Sequence, residues 1–451
     1  MNRDHDTIAA PATAAGGALA VIRVSGDETL AVCDRIFRGR RPLTEAEGYT
    51  VHYGHIADGA RLLDDVLVTV FRAPRSYTGE DAAEISCHGS QYIVSEILRL
   101  LTAAGARMAG PGEFTSRAYL AGKLDLSQAE AVADIIASSS QAAHALAANQ
   151  MRGGYSDALE RLREKLLDLT ALLELELDFS EEDVEFADRT QLRDTMQQIG
   201  AHIDALRSSF TLGNAIKEGV AVAIAGAPNV GKSTLLNRLL NEERVLVSEI
   251  AGTTRDVIEE RVNIDGVIFR FLDTAGIRTT NDRLERMGIE RTMSSIARAQ
   301  IVIYMADAAV LAAGPPAEPD FGLRPDQKQL TVINKMDTAP DYPLPEGAIG
   351  ISARNGEGID RLRRILRDAV DTDALYHGDP IVSNSRHLEA LTAAGNALRQ
   401  ALDGLGSGLQ TDLLSEEVRQ VIHHVGSITG RNTIASEDVL KHIFSKHCIG
   451  K

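Results

Sequence analysis

A glycine-rich stretch with one lysine stands between an apolar run and an amphipathic stretch. Gly226, Gly231, Lys232 and Ser233 have the spacing G-x-x-x-x-G-K-S within "VAVAIAGAPNVGKSTLLN". Glycines there let backbone N–H groups curl around phosphates at a helix N-terminus, the lysine reaches the outer phosphates, and the serine hydroxyl ligates Mg²⁺. This spacing predicts a nucleotide-binding loop between a strand and a helix.

Two downstream segments contain residues that would complete a triphosphate site. Thr254 lies in "GTTRD", and Asp273 and Gly276 lie in "FLDTAG" at the end of a second apolar run. A threonine hydroxyl and an aspartate acting through water can complete the Mg²⁺ shell, and the N–H of a flexible glycine can meet the γ-phosphate. Their order and spacing predict the switch segments of a nucleoside triphosphatase.

Two segments that follow later apolar runs favour guanine as the base. The carboxylate of Asp337 can accept hydrogen bonds from the ring N–H and the exocyclic amine of guanine, an adjacent donor pair that adenine lacks. A backbone N–H in the second segment can meet the guanine carbonyl. The segments are "TVINKMD", with Asn334, Lys335 and Asp337, and "GISARNGEG", with Ser352, Ala353 and Arg354.

Ile277 follows Asp273-Thr274-Ala275-Gly276, at the place where a Ras-like protein has the glutamine that orients the attacking water. An isoleucine side chain cannot hydrogen-bond to water. Another group must therefore orient the nucleophile and offset the charge that an arginine finger would meet.

The apolar patterns along the chain indicate three kinds of structure. Period-two stretches such as "ALAVIRVSG" and "RLLDDVLVTVF" predict an α+β region over 1–120, with Asp58-Gly59 as a hairpin turn signal. Alternating strands and helices over 217–372 predict a parallel α/β sheet. Apolar residues three and four apart predict amphipathic helices in two flanking regions. The residues of these helical rows are Leu159, Leu162, Leu166, Leu169, Leu173, Leu192, Met196, Ile199, Ile203, Leu206, Leu414, Val418, Val421, Val425 and Ile428.

These patterns predict a multidomain chain. We expect an α+β domain at 1–121, a helical domain in two parts at 122–214 and 376–451, and an inserted α/β P-loop (Ras-like) domain at 215–375. An α/β domain whose termini lie close together can be inserted into a host fold without disrupting it. The two helical parts could then pack into one bundle.

Composition limits the function classes. The 451 residues are 44% apolar and 25% charged, as is usual for globular domains. Three cysteines without metal-type spacing fit a reducing compartment, so we expect a cytoplasmic protein without a targeting or membrane segment. The net charge of −17 repels phosphate backbones and disfavours unassisted nucleic-acid binding. Any work on RNA would need a partner.

Several stretches outside the nucleotide motifs carry a specific resemblance. They are "DTIAAPAT", "VIRVSG", "PRSYTGEDAAE", "GPGEFTSRAYLAGKLDLSQAEA" and the terminal "CIGK". In this combination the chain resembles the MnmE (TrmE) family of tRNA modification GTPases over nearly its whole length. The resemblance implies an N-terminal domain that binds folate and forms a homodimer, followed by a helical bundle that contains the inserted G domain.

The resemblance also implies a reaction. Members of this family hydrolyse GTP to GDP and phosphate and work with the FAD-dependent partner MnmG (GidA) in a heterotetramer or larger complex. Together they add an aminomethyl or carboxymethylaminomethyl group to the wobble uridine of certain tRNAs, with a one-carbon unit from methylene-tetrahydrofolate. The tRNA would be bound mainly through the partner.

The resemblance implies a potassium ion in place of the arginine finger. Its ligands would be Asn229, Ser248, Ile250 and Thr253, the Mg²⁺ ligands would be Ser233 and Thr254, and Glu285 would orient the water. Lys232 and Asn229 would then also be catalytic. The remaining predicted GTP contacts are Val230, Gly231, Thr234, Glu249, Ala251, Gly252, Asp273, Thr274, Ala275 and Gly276, besides the guanine segments named above.

For folate, the resemblance implies Arg23, Glu80, Lys123 and Lys451. A cation can meet the glutamyl tail or a pterin carbonyl, and Glu80 can accept from pterin amines as Asp337 does from guanine. The tail would bring Cys448 to the one-carbon unit, as a nucleophile or general acid, although a purely positional role of the tail stays open.

Two other functions share these motifs. A ribosome-assembly or RNA-binding regulatory GTPase of the Era-like kind would have the same G-domain motifs, together with a basic RNA-binding module. A folate-dependent transferase that uses its G domain only as a regulator would form product without GTP hydrolysis.

Overall fold

The computed structural model describes residues 6–14, 16–178, 189–243, 259–272, 285–314, 321–372, 375, 379–407, 409–430, 440, 443–445, 447 and 450, without the side chains of 175–178, 242–243 and 285–291. The chain divides into two compact units. The first consists of 1–133, 151–163 and 422–451, and the second of 134–150 and 164–421.

A seven-stranded sheet forms the centre of the first unit. Its strands are β1 (Ile8–Pro11), β2 (Leu19–Ser25), β3 (Phe37–Gly39), β4 (Thr50–Asp58), β5 (Arg61–Phe71), β6 (Ala82–His88) and β7 (Arg107–Met108), in the order β3-β4-β5-β6-β2-β1-β7. The stretch "RLLDDVLVTVF" is β5, and Asp58 pairs with Arg61 across the predicted turn. The expected hairpin is confirmed.

Helices α1 (Thr29–Ile36), α2 (Gln91–Ala103) and α3 (Glu113–Leu120) complete the N-terminal α+β fold. Alternate residues of the strands, such as Ile22 and Ile85, are fully buried in a core with α1 and α2. On β4 and β5 the intervening side chains Tyr53 and Leu67 pair across the strands and stay exposed. The residues of the period-two apolar pattern therefore lie on the face of the sheet that packs in the core, as expected for a half-buried antiparallel sheet.

The predicted helical regions are helical. They contain α4 (Leu126–Ala137), α5 (Gln141–Met151), α6 (Gly154–Asp178) and α7 (Arg189–Glu218), and later α12 (Ser385–Ser407) and α13 (Thr411–Thr429). Every residue of the predicted apolar rows is buried. In the second unit α7 and α12 pack closely, because a Cβ on Gly395 would lie 3.5 Å from Ile203.

The second unit also contains a six-stranded sheet. Its strands are β8 (Val220–Gly226), β9 (Glu260–Ile264), β10 (Val267–Phe271), β11 (Ile301–Asp307), β12 (Lys328–Asn334) and β13 (Ile349–Gly350), in the order β13-β12-β11-β8-β10-β9. Helices α8 (Lys232–Glu243), α9 (Glu285–Arg298), α10 (Ala308–Ala313) and α11 (Ile359–Asp368) alternate with them. All neighbouring strands are parallel except β9 and β10. The predicted α/β alternation is confirmed.

The carboxyl ends of β8, β12 and β13 meet at one edge of this sheet, and ligand sites of parallel α/β sheets lie at this edge. The glycine-rich loop and both guanine segments follow these strands. Among the helices that the structure describes, none is long and apolar enough to cross a membrane.

Candidate functional site

The glycine-rich loop turns sharply between β8 and α8. Asn229 and Gly231 have positive φ values of 60° and 101°. Val230 between them is buried in the apolar core of the sheet and anchors the loop. Ser233 and Thr234 then lie in the first turn of α8, directly after the loop, and the N-terminus of a helix is suited to binding phosphates.

Asn334 connects three of the predicted motifs. Its Nδ2 donates to the Val230 carbonyl at 2.7 Å, and its Oδ1 accepts from the Ala353 N–H at 3.0 Å. A Cβ on Gly231 would lie 2.2 Å from Asn334 Nδ2, so only glycine leaves room for this side chain. The glycine-rich loop and the two guanine segments are thus brought together, with Ser352 buried beside them.

Lys232 points its ammonium back into the loop. Its Nζ donates to the carbonyls of Gly226 at 2.8 Å and Ala227 at 2.9 Å. Burial lowers the pKa of the Lys232 ammonium, because the charged form loses hydration. A phosphate in the loop would favour the charged form again, which is the role predicted for this lysine.

Lys335 has a partner that sequence analysis did not identify. Its Nζ lies 2.6 Å from Asp307 Oδ2, while Asp307 Oδ1 accepts from the Ala309 N–H at the start of α10. Asp337 and Arg354 are exposed at the same edge of the sheet. The Asp337 carboxylate is therefore accessible to a base, as the guanine prediction requires.

Many of the predicted site residues, for phosphate, metal, water and folate alike, lie outside the residues or side chains that the structure describes. For Glu285 only the backbone is described, at the first residue of α9. The others are Ser248, Glu249, Ile250, Ala251, Gly252, Thr253, Thr254, Asp273, Thr274, Ala275, Gly276, Cys448 and Lys451. Their roles stay predictions.

In the first unit, Arg23 lies in a cluster on the sheet. It faces Glu84 across β2 and β6 and donates to Glu84 Oε1 at 2.8 and 2.9 Å. Its guanidinium also lies 5.3 Å from the ring centre of Tyr77. A cavity of about 220 Å³ is lined by these three residues together with Ser25, Phe71, Thr78 and Ala82. A flat ring could stack in this cavity beside charged groups.

Glu80 lies close to this cavity. Ser25 Oγ is 2.7 Å from Glu80 Oε2 and 2.6 Å from Thr78 Oγ1, which links Glu80 to two residues of the cavity wall. The stem of Lys123 runs beside Gly79, where an added Cβ would be 3.5 Å from Lys123 Cε. The structure therefore brings Arg23, Glu80 and Lys123 into one region.

The C-terminal tail reaches the same region. Arg23 NH1 donates to the Gly450 carbonyl at 3.2 Å. A Cβ on Gly450 would lie 2.1 Å from the Pro11 carbonyl at the end of β1, so the tail backbone is in close contact with the sheet. Gly450 directly precedes Lys451 and stands two positions after Cys448 in the sequence.

The two described cysteines are buried in the N-terminal core. Burial raises the pKa of the Cys33 thiol to about 12 and that of the Cys87 thiol to about 11. Neither thiol forms an appreciable thiolate at neutral pH, so neither is a nucleophile.

Comparison with known proteins decides the family. The family model "MnmE helical domain" matches residues 126–448, and "GTP-binding protein TrmE N-terminus" matches residues 7–123. The tRNA modification GTPase MnmE of Bacteroides thetaiotaomicron is 48% identical over 99% of this chain and 100% of that protein. The MnmE proteins of Bacteroides fragilis and Cytophaga hutchinsonii are 49% and 48% identical over 99% of this chain. The chain belongs to the MnmE family of tRNA modification GTPases.

MnmE membership makes the chain a GTP hydrolase, as predicted. Among solved structures, Era in complex with MgGDPNP and 16S ribosomal RNA nucleotides covers 39% of this chain, with 28% identity and a TM-score of 0.24. The MnmE matches include the regions on both sides of the nucleotide-binding sheet, and they favour the MnmE assignment over the Era-like alternative.

Three polar residues near the expected MnmE sites were not found by sequence analysis. They are Asp307 beside Lys335, Glu84 beside Arg23, and Arg117, whose NH1 lies 3.0 Å from Glu80 Oε1. Each belongs to a pair of residues far apart in the sequence, so no local spacing could indicate it. Glu84 and Arg117 lie in the quoted stretches "PRSYTGEDAAE" and "GPGEFTSRAYLAGKLDLSQAEA", so for these two residues the family resemblance was a signal.

Proposed function

We propose that this chain is a potassium-dependent GTPase that modifies the wobble uridine of certain tRNAs together with an FAD-dependent partner of the MnmG type. The modification adds an aminomethyl or carboxymethylaminomethyl group built from a methylene-tetrahydrofolate one-carbon unit. The observation that carries this proposal is the near-full-length identity of 45–49% to proteins named tRNA modification GTPase MnmE.

The glycine-rich loop supports the GTPase part of the proposal. Lys232 is held where a β- or γ-phosphate would meet it, and Ser233 in the first turn of α8 has a hydroxyl suited to Mg²⁺. Asn229 is exposed at the loop with its backbone in the left-handed region, and its carboxamide oxygen is a hard, neutral ligand that suits K⁺. When bound, potassium would supply the positive charge that otherwise comes from an arginine finger.

The cluster in the first unit supports the folate part. A pterin has a flat ring with an amine and a ring N–H side by side, and Glu80 offers a carboxylate that could accept from both. Tyr77 provides a face for stacking in the cavity next to Arg23. Lys123 would meet a carboxylate of the glutamyl tail, and the tail residues Cys448 and Lys451 would reach the ligand from the side of Gly450.

The homodimer is proposed on the exposed face of the N-terminal sheet. Val51 and Tyr53 on β4 are 59% and 61% exposed, and Leu67 opposite Tyr53 on β5 is 46% exposed. Contiguous apolar side chains on a sheet face indicate a protein contact. We further propose 1–121 as the folate-binding and dimerisation domain, 215–375 as the G domain, and 122–214 with 376–451 as the helical domain.

Reconstitution tests the proposal. The full chain, the FAD-dependent partner, methylene-tetrahydrofolate, a nitrogen donor and tRNA are incubated with GTP or with a non-hydrolysable GTP analogue, and the tRNA nucleosides are analysed by mass spectrometry. We expect modified wobble uridine only with GTP. Product with the analogue would instead support a folate-dependent transferase in which the G domain is only a regulator.

A further inference from the structure

Two donors fix the carboxylate of Glu80 in the first unit. Ser25 Oγ lies 2.7 Å from Glu80 Oε2, and Arg117 NH1 lies 3.0 Å from Oε1 and 3.3 Å from Oε2. The side chain of Glu80 is 20% exposed, whereas that of Arg117 is 9% exposed. The Glu80 side chain therefore stays partly accessible although Arg117 and Ser25 both contact its carboxylate.

Arg117 is itself held on two sides. Its NH1 donates to the backbone carbonyl of Asp6 at 2.7 Å, and its NH2 donates to Asp6 Oδ1 at 2.5 Å and Glu113 Oε1 at 3.4 Å. Charge-assisted hydrogen bonds of this kind are stronger than neutral ones and fix the plane of the guanidinium. A fixed guanidinium in turn fixes the rotation of the Glu80 carboxylate.

We propose that Arg117 is a positioning residue that aims the Glu80 carboxylate at the paired amine and ring N–H of a pterin. The inference rests on the proposed folate site. A carboxylate accepts two parallel N–H bonds only when its plane matches that of the donors. Arg117 restricts the rotation of the Glu80 carboxylate before the ligand binds, so less conformational entropy is lost on binding. Through Glu80, Arg117 thus increases the preference of the site for a pterin ring over rings that lack this donor pair.

Arg107 provides a matched control, because it belongs to the same charged network. It donates to Asp6 Oδ2 at 2.7 Å and to Glu113 Oε1 at 2.6 Å. The bond from Arg107 to Asp6, together with that from Arg117, holds the pKa of the Asp6 carboxyl below its usual value. Within the described part of the chain, its side-chain hydrogen bonds go to Asp6, Met108 and Glu113, and none goes to Glu80. Arg107→Lys therefore disturbs the network without touching the carboxylate.

The experiment measures the affinity of the full chain for two probes by titration calorimetry. One is tetrahydrofolate, and the other is an analogue whose 2-amino group is replaced by methyl. Wild type should prefer tetrahydrofolate by about tenfold, the size expected for a charge-assisted hydrogen bond. Arg117→Lys, which has no planar fork, should lower tetrahydrofolate affinity about tenfold and bring the preference close to one. Arg107→Lys should keep both values.

A double-mutant cycle with Glu80→Gln separates positioning from folding. If Arg117 acts through Glu80, Arg117→Lys should cause no further loss of affinity in the Glu80→Gln background. Asp6→Asn loosens Arg117 while leaving Glu80 and Arg117 in place, and should reduce the preference by a smaller factor. This variant decides the question if Arg117→Lys does not fold.

Three results would overturn the inference. Wild-type affinity and preference in Arg117→Lys would show that Glu80 needs no positioning. An equal loss for both probes, with the preference kept, would show that Arg117 only supports the fold. If wild type did not bind tetrahydrofolate, the folate site and this inference would both be wrong. If wild type binds and Arg117→Lys keeps the preference for tetrahydrofolate over the analogue, only the inference is wrong.

Discussion

Asp337 is the residue that we propose to select the base. It is exposed at the sheet edge, where Asn334 holds the phosphate loop and the second guanine segment together. Asp337→Asn places a donor opposite the donors of guanine, so GTP affinity should fall by at least about tenfold. Xanthosine triphosphate has a carbonyl in place of the exocyclic amine of guanine, so it should bind to Asp337→Asn more tightly than to the wild type.

Fluorescent-nucleotide titration measures both affinities. Asp341→Asn is the control, because Asp341 is an exposed aspartate four positions further along the same loop. Unchanged GTP affinity in Asp337→Asn would mean that this carboxylate does not contact the base.

Asn229 is the described member of the proposed potassium site. Because Ile277 cannot orient water or offset charge, GTP turnover should be much faster in potassium than in sodium. Asn229→Ala should give the slow sodium rate in both salts, while Asn237→Ala, an exposed amide on α8, should behave as wild type. Steady-state phosphate release measures this, and equal wild-type rates in the two salts would contradict the potassium proposal.

At the residue scale, the sequence predicted sites whose members are neighbours in the chain. Gly231, Lys232 and Ser233 lie in one loop, so their spacing alone indicates phosphate binding. The pairs of Lys335 with Asp307 and of Glu80 with Arg117 depend on which strands and helices become neighbours. Local spacing contains no information about such pairs.

At the element scale, α7 lies close to the backbone of the segment that precedes α12. A Cβ on Gly213 would lie 2.1 Å from the Val382 carbonyl oxygen, and the Val382 N–H donates to Ser209 Oγ at 3.0 Å. Gly213→Ala should therefore separate the two backbones and destabilise the second unit by about 1–3 kcal/mol, despite the better helix propensity of alanine.

Gly406 near the end of α12 is the matched helical glycine, because a Cβ there would meet nothing within 4 Å. Gly406→Ala should leave the thermal transition unchanged or raise it slightly. Differential scanning calorimetry compares the two variants. A transition of Gly213→Ala at the wild-type temperature would show that the close contact is not formed in solution.

Period and composition predicted most elements. Strand β5 and the buried rows of α6, α7 and α13 follow from apolar spacing, because each buries one face. The contact at Gly213 could not be predicted from the sequence, because glycine has no side chain that could contribute to an apolar pattern. The order β13-β12-β11-β8-β10-β9 also requires the tertiary structure, because spacing along the chain does not determine which strands pair.

At the scale of the whole molecule, the tail brings residue 450 back to the N-terminal sheet. Gly450, two positions after Cys448 in the sequence, contacts Arg23 and Pro11. His447, directly before Cys448 in the sequence, is buried, and its Nε2 lies 3.0 Å from the Ala129 carbonyl oxygen. We predict that Cys448→Ser abolishes wobble-uridine modification in the reconstituted reaction while potassium-stimulated GTP hydrolysis stays near wild type. Deletion of the last four residues should do the same and also weaken folate binding.

Cys87→Ala is the control for this prediction, because the thiol of Cys87 is buried and its pKa is raised to about 11, so we expect it to take no part in the reaction. It should keep modification. Normal modified nucleoside from Cys448→Ser would leave the tail with a positional role only.

The central claim is that GTP hydrolysis by this chain serves tRNA modification. The most direct measurement is mass spectrometry of the wobble nucleoside in tRNA from cells that lack this protein, complemented with wild type or with Lys232→Ala, which removes the ammonium proposed to bind phosphate. We predict that the aminomethyl-type group is absent without the protein, returns with wild type and does not return with Lys232→Ala. A fully modified wobble uridine in the cells that lack the protein would contradict the account.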